Sequence, residues 1–144
     1  MSTVAKIMSK HPKTVGPGVS IVSAAKKMRT ERVGSLFVKK GKKLVGILTD
    51  TDIVRRAVSS NKPLGKMTVD KVMTTPICTI EGSQSVNDAQ DMMGDLGVRH
   101  LAVTKAGEIV GVVSVRDVMM FYKRYAQSEI SPEVKYSEPK IGQD

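Results

Sequence analysis

Apolar positions along the chain follow two alternating rhythms, and the rhythms come in the same order in both halves. Ile21, Ala24, Ala25 and Met28 are spaced i, i+3, i+4, i+7, and Val86, Ala89 and Met93 are spaced i, i+3, i+7. Both spacings predict an amphipathic helix. Ser20 and Ser85 stand where an N-cap belongs. Each helix is followed by two alternating apolar runs around a turn signal. "SLFVKKGKKLVGIL" predicts a hairpin turning at Gly41, and "HLAVTKAGEIVGVV" one turning near Gly107. Ahead of each helix the pattern predicts a short helical turn ("VAKIMSK", "VDKVMTT") and a brief strand at Lys13–Val15 or Cys78–Ile80. After each hairpin a last helix opens. In the second half its expected apolar stripe is Val118, Phe121, Tyr122 and Tyr125.

The two halves are a repeat. Shifted by 65 residues, positions 4–56 align without a gap, and 14 of 53 residues are identical to their partners. Val4/Val69, Met8/Met73, Ser20/Ser85, Met28/Met93, Gly46/Gly111 and Asp52/Asp117 are among them. The predicted class is therefore α/β (α+β): two β-α-β-β-α units, residues 4–60 and 69–127, packed about a pseudo-two-fold axis. One such unit alone makes a marginal core. Residues 61–68, with Pro63 and Gly65, read as the linker. Residues 128–144 are polar and proline-bearing, and read as a mobile tail.

Charge adds a second asymmetry. The chain carries a formal net charge of +9. Met1 to Lys66 holds 15 Lys or Arg against 3 Asp or Glu, so +12; the rest holds 8 against 11, so −3. A basic half attracts anions, whether nucleotide, nucleic acid or an acidic partner, and a solvated lysine face is the equally good plain reading. There is no apolar run of the ~18 residues a membrane helix needs and no signal-peptide pattern at the start. The lone Cys78 argues for no disulfide. A cytoplasmic location is expected.

The repeated chemistry lies at the end of each hairpin, in "GILTDTD" (Gly46 to Asp52) and "GVVSVRD" (Gly111 to Asp117). Thr49 or Ser114 can cap the following helix, with Asp52 or Asp117 reaching back in a capping box. The same groups suit a ligand. A helix start offers free N–H groups to a phosphate, a hydroxyl can donate to it, and an ionised carboxylate accepts from both hydroxyls of a ribose. Ile47 and Val112, two positions earlier, can flank a base. Capping and ligand binding do not exclude one another.

With "GSLFV…VGILTDTD" and "GVRHLAV…VGVVSVRD", the double unit resembles a tandem pair of CBS domains, a Bateman module, over roughly Val4 to Ala126. The resemblance implies a non-catalytic regulatory module. Its clefts between the repeats would bind AMP, ADP, ATP or a related adenosyl compound, and two copies would associate in a disc-like homodimer that signals to an effector protein. By place in the family pattern, the backbone at Lys13 and Cys78 meets the adenine edge. The hairpin starts, Val33-Gly34-Ser35 and Val98-Arg99-His100, lie near phosphate. Arg99, His100 and Arg116 are phosphate ligands by chemistry; their counterparts Gly34, Ser35 and Thr51 are neutral. Two unequal sites are therefore expected. The sequence does not assign Arg99 and His100 to either cleft.

Rival readings remain: a nucleic-acid-binding protein using the basic half, or a structural dimerisation module with empty clefts. "KKGKK" (Lys39 to Lys43) falls where a hairpin turn belongs, and the five Phe and Tyr make no stacking platform. "DTD" (Asp50 to Asp52) lacks the glycine and closing glutamate of a calcium loop. His11, Cys78 and His100 lack metal-ligand spacing. No nucleophile–base set can be assembled, so no catalysis is expected.

Overall fold

A computed structural model describes residues 2–125 and 137–140. Most of the expected mobile tail, and residues 126–127, lie outside the described residues.

The chain forms two small sheets, each backed by helices. In chain order the elements are α1 (Val4–Ile7), β1 (Ser9–Lys10), β2 (Thr14–Val15), α2 (Ile21–Glu31), β3 (Ser35–Lys40), β4 (Lys43–Thr49) and the single turn α3 (Asp50–Asp52). The second half supplies β5 (Thr79–Glu81), α4 (Val86–Leu96), β6 (His100–Lys105), β7 (Glu108–Ser114) and α5 (Val115–Tyr125). One sheet has the order β2-β3-β4 and the other β1-β7-β6-β5. The predicted hairpins are β3–β4 and β6–β7, with Gly41 (φ +63°) and Gly107 (φ +79°) in their turns. Both hairpins shift register at equivalent places, after Val38 and after Val103.

Alternation sets the layering. Leu36, Val38 and Leu48 point into the first half's core, and Leu101, Val103 and Val113 into the second's. The residues between them, Phe37, Ile47 and Ala102, with Val112 against them, form a third cluster where the two sheets face each other. Strands buried on both faces are what a module of two packed sheets requires. The helices present the predicted faces: Ile21, Ala24 and Met28 on α2, and Val86, Ala89 and Met93 on α4, are buried. Ser20 and Ser85 both act as N-caps, and Ser85 forms a reciprocal capping box with Asp88.

The leading segments are exchanged between the halves. Val4 packs in the core of the second repeat, whereas Val69 and Val72 pack in the core of the first. The hydrogen bonds repeat the exchange. Val4 N–H donates to Gln84 O (2.8 Å) and Ala5 N–H to Gly82 O (2.9 Å). Their counterparts, Val69 N–H and Asp70 N–H, donate to Val19 O (2.9 Å) and Pro17 O (3.0 Å). β1 then runs antiparallel to β7, with Ser9 opposite Val112, and Thr74 bridges Ile47 in the same way. Each sheet is thus completed by chain from the other half.

Three expectations need correction. The brief strands begin one residue later than expected, at Thr14 and Thr79. Tyr125 is 78% exposed and leaves the stripe of α5, which is carried by buried Val118 with half-buried Phe121 and Tyr122; the Tyr125 ring only stacks on Phe121. The last helix of the first half is not regular: α3 passes into a π-helical turn (Ile53–Ala57) and a 3-10 turn (Val58–Ser60). There Arg56 donates to the carbonyls of Val72 and Met73, which ties the turn to the exchanged segment. No described helix is long and apolar enough to cross a membrane.

Candidate functional site

The exchange opens two clefts between the repeats, related by the same pseudo-symmetry. The larger, about 530 Å³, is walled by Ser9–Lys13, by Arg32–Ser35 at the start of β3, and by Val112 and Ser114–Asp117 of the second motif. The smaller, about 360 Å³, is walled by Thr74 and Cys78, by Gly97–His100 at the start of β6, and by Ile47, Thr49 and Asp52 of the first motif. Each cleft therefore joins the strand starts of one repeat to the hydroxyl–carboxylate motif of the other.

Every sequence-predicted site residue lines one cleft or both. Lys13, Val33, Gly34, Ser35, Val112, Ser114, Arg116 and Asp117 face the larger. Ile47, Thr49, Asp52, Cys78 and Val98 face the smaller. Arg99 and His100 face both. Val115 N–H donates to Arg99 O (3.0 Å), which seats Arg99 beside the second motif while Val98 lines the cleft of the first.

The motif side chains are engaged with the protein, and unequally so. Thr49 Oγ1 accepts from Asp52 N–H (3.1 Å) and Asp52 Oδ2 from Thr49 N–H (3.1 Å), a complete capping box. Both Asp52 oxygens also accept from the Thr74 hydroxyl (3.0 and 3.1 Å), and Arg56 Nε lies 3.8 Å from Oδ1. Asp52 is buried, the one charged residue among the buried positions described. In the second motif Asp117 Oδ2 accepts from Ser114 N–H (2.8 Å) and the Ser114 hydroxyl (3.0 Å), and Ser114 Oγ accepts from Asp117 N–H (3.2 Å). Asp117 is only half-buried. Its hydrogen bonds among the described residues all fall on Oδ2, which leaves Oδ1 for a ligand. The hydroxyls that were expected to donate to phosphate thus serve as caps.

The backbone expectation at Lys13 and Cys78 is also narrowed. Lys13 O accepts from Phe37 N–H (2.9 Å) and Cys78 O from Ala102 N–H (2.9 Å). The sheet takes one lone pair of each carbonyl, and the second remains. Ile47 is buried between the sheets and Val112 half-buried, so only Val112 offers much surface to a base.

Several lining residues were not anticipated as ligands. Lys10, His11, Arg32 and Asp50 face the larger cleft; Arg55, Arg56 and Thr74 face the smaller. Arg32 sits in the left-handed region (φ +55°), where its counterpart is Gly97 (φ +66°). A glycine is the ordinary residue there, and the repeat comparison carried that signal. The basic first half is accounted for in part by Lys10, Lys13 and Arg32 on the wall of the larger cleft.

His100 is the group whose titration the site perturbs. Burial lowers its pKa from 6.5; Asp50 opposes this, Arg99 adds to it, and Asp117 and Asp52 oppose it more weakly. The folded chain therefore favours neutral imidazole. Below about pH 6.5 the unfolded chain binds the extra proton more readily, so this contribution is complete above that pH and is lost as pH falls. Wild-type Tm relative to His100→Gln is expected to fall when pH drops from about 7.5 to 5. Parallel Tm profiles for the two proteins would refute it.

The CBS domain family matches the chain twice, over residues 4–59 and 69–124. The chain is 31% identical to the CBS domain-containing protein YhcV of Bacillus subtilis over 118 residues, 82% of this chain and 84% of that protein. It is 38% identical to an uncharacterized 17.7 kDa protein of Acidianus ambivalens over 117 residues, 80% of this chain and 70% of that protein. Among solved structures it is similar to a putative signal-transduction protein with CBS domains from Burkholderia ambifaria (TM-score 0.85, 28% identity, 90% of this chain and 100% of that one). It is also similar to the CBS domain pair of protein MJ0100 in complex with 5′-methylthioadenosine and S-adenosyl-L-methionine (TM-score 0.78, 27% identity, 87% and 98%). Two matched domains, exchanged leading segments and paired clefts agree: the chain belongs to the CBS domain family, as a tandem CBS pair.

Proposed function

We propose that this CBS pair is a non-catalytic regulatory module that binds an adenosine-type ligand, AMP, ADP, ATP or a related adenosyl compound, in its inter-repeat clefts and signals occupancy to a partner protein. One observation carries the reading. Two cationic clefts stand at equivalent places, and each combines a motif carboxylate with basic groups, the larger adding the half-buried apolar face of Val112. The larger has Lys10, Lys13, Arg32, Arg99 and Arg116 against Asp50 and Asp117, a balance suited to phosphate. The bound adenosyl compounds of the MJ0100 pair support the ligand class. The half-buried Asp117, with one oxygen uncommitted, makes the larger cleft the better ribose site.

A ligand that binds only the folded chain stabilises it by mass action. At tenfold over its dissociation constant the gain is about 1.4 kcal/mol, a rise in Tm of about 4 °C for a chain of this size. A thermal-shift panel of AMP, ADP, ATP, S-adenosylmethionine and GTP is expected to show such a rise for at least one adenosine compound and not for GTP. Identical melting curves across the panel would remove the reading. A second copy of the chain is the proposed partner for the exposed apolar residues Val54 and Met119, which are 62% and 63% exposed at equivalent places in the two repeats. Sedimentation of the same samples as a monomer at all concentrations would exclude it.

A further inference from the structure

Two side chains are common to both clefts. Arg99 and His100 line the larger and the smaller alike, whereas their repeat counterparts Gly34 and Ser35 line the larger only. His100 meets the first repeat at Gly34. A Cβ there would lie 3.4 Å from His100 Nε2 and 3.3 Å from Asp50 Oδ2. His100 of the second repeat therefore packs beside Gly34 of the first, and stands in the wall between the clefts. The carboxylates of both motifs lie around it, Asp52 and Asp117, with Asp50 and the Arg99 guanidinium.

The remaining cations belong to one cleft each. Lys10, Lys13, Arg32 and Arg116 serve the larger, Arg55 and Arg56 the smaller. Arg56 is already tied to Val72 O, Met73 O and Asp52. The smaller cleft therefore depends more heavily on the shared pair.

We propose that Arg99 and His100 are phosphate ligands held in common by the two clefts, so that a phosphate-bearing ligand in one weakens the binding of a second in the other. This rests on the nucleotide reading above and adds the relation between the sites. A guanidinium fork grips one phosphate in one direction, and an imidazole donating to one anion is not aimed at another. Two anions on either side of one side-chain layer also repel. The effect is reciprocal, as any coupling between binding sites must be. A ligand without phosphate does not recruit the pair and is not coupled.

Titration calorimetry of the full chain tests it, with AMP and adenosine as the probes. Asp117→Asn weakens the larger cleft, so that AMP fills the smaller cleft first and reports that cleft's own affinity. In wild type the second AMP is expected to bind about tenfold more weakly than that value, an ordinary size for coupled sites. With adenosine the two values should agree. In the Arg99→Ala/His100→Ala background the same AMP comparison should agree to within about twofold. Agreement already in the wild-type background overturns the proposal. So does a coupling that survives loss of both side chains, or one equally strong for adenosine. Where wild type is silent toward both probes the comparison is run with ATP against S-adenosylmethionine, and silence toward these as well overturns the nucleotide reading itself, and the shared-ligand proposal with it.

Discussion

Replacement of Gly111 by alanine is expected to lower the unfolding free energy by about 3 kcal/mol, the upper range for forcing atoms into a filled site. A Cβ on Gly111 would stand 2.7 Å from the carbonyl oxygen of Ser9 and 2.6 Å from Met8 Sδ. The thioether can swing aside, but the carbonyl cannot. It belongs to β1, whose only sheet partner among the described residues is β7, in the register Lys10 opposite Gly111. Relief requires β1 to lift, and β1 is continuous with Val4, which is fully buried in the second core. Gly46 is constrained in the same way by Met73 and Thr74 O (3.0 Å). Gly94, inside α4, has no atom within 4 Å of the place its Cβ would take. Gly94→Ala should therefore stabilise by about 0.5–1 kcal/mol. Urea unfolding of the two variants beside wild type reads the contrast. Equal and small effects would mean that β1 does not seat on β7.

That glycine shows where the sequence was legible and where it was not. Its recurrence at positions 46 and 111 was visible, together with the helix spacing, serine caps and hairpin turns. Each of these is local and has a periodic signature. The reason for the glycine was hidden, because it lies in a strand from the other half. Val4 and Val69 are the same residue, as are Met8 and Met73. A core lined by one set accepts the other, so no pattern of letters separates an exchanged pair from two self-contained repeats. The choice is set by chain path and connection geometry, which composition does not encode.

The site divides along the same line. The hydroxyl–carboxylate motifs were legible because they recur, and the unequal charge of the hairpin starts was legible by comparison of the repeats. The dual placement of Arg99 and His100 was not. It follows from the second repeat's hairpin start packing beside Gly34 of the first, which sequence reads as a neutral ligand position, a contact between halves that no local pattern records. Arg32 and the π-helical turn carrying Arg55 and Arg56 were missed for a different reason. Both depart from the regular geometry that periodicity assumes: a left-handed arginine and a helix wound too wide.

Asp52→Ala is expected to destabilise the chain by about 2–3 kcal/mol, the upper range for leaving buried hydrogen-bond donors without their acceptor; Arg56, more than half exposed, adds little. The substitution takes the acceptor from Thr49 N–H and from the Thr74 hydroxyl, and the nearby carboxylate from Arg56. Thr74 belongs to the exchanged segment and Arg56 to the π-helical turn, so three elements lose a common tie. Asp117→Ala removes an acceptor only from Ser114, in a half-buried position, and should destabilise by about 1 kcal/mol. Ligand binding should rank the other way. Asp117 has an oxygen to give a ribose, and its loss should weaken AMP binding at the larger cleft about 10–100-fold, the worth of hydrogen bonds to an ionised group. Thr74→Val separates the two roles, since it removes the hydroxyl from Asp52 while leaving the carboxylate in place. It should cost about 1–2 kcal/mol and leave AMP binding at the larger cleft unchanged. Denaturant midpoints and AMP titrations on the three variants decide the matter. Equal destabilisation by Asp52→Ala and Asp117→Ala would show that the two carboxylates are interchangeable, and that the inequality of the clefts does not originate in how tightly the protein holds its own motif.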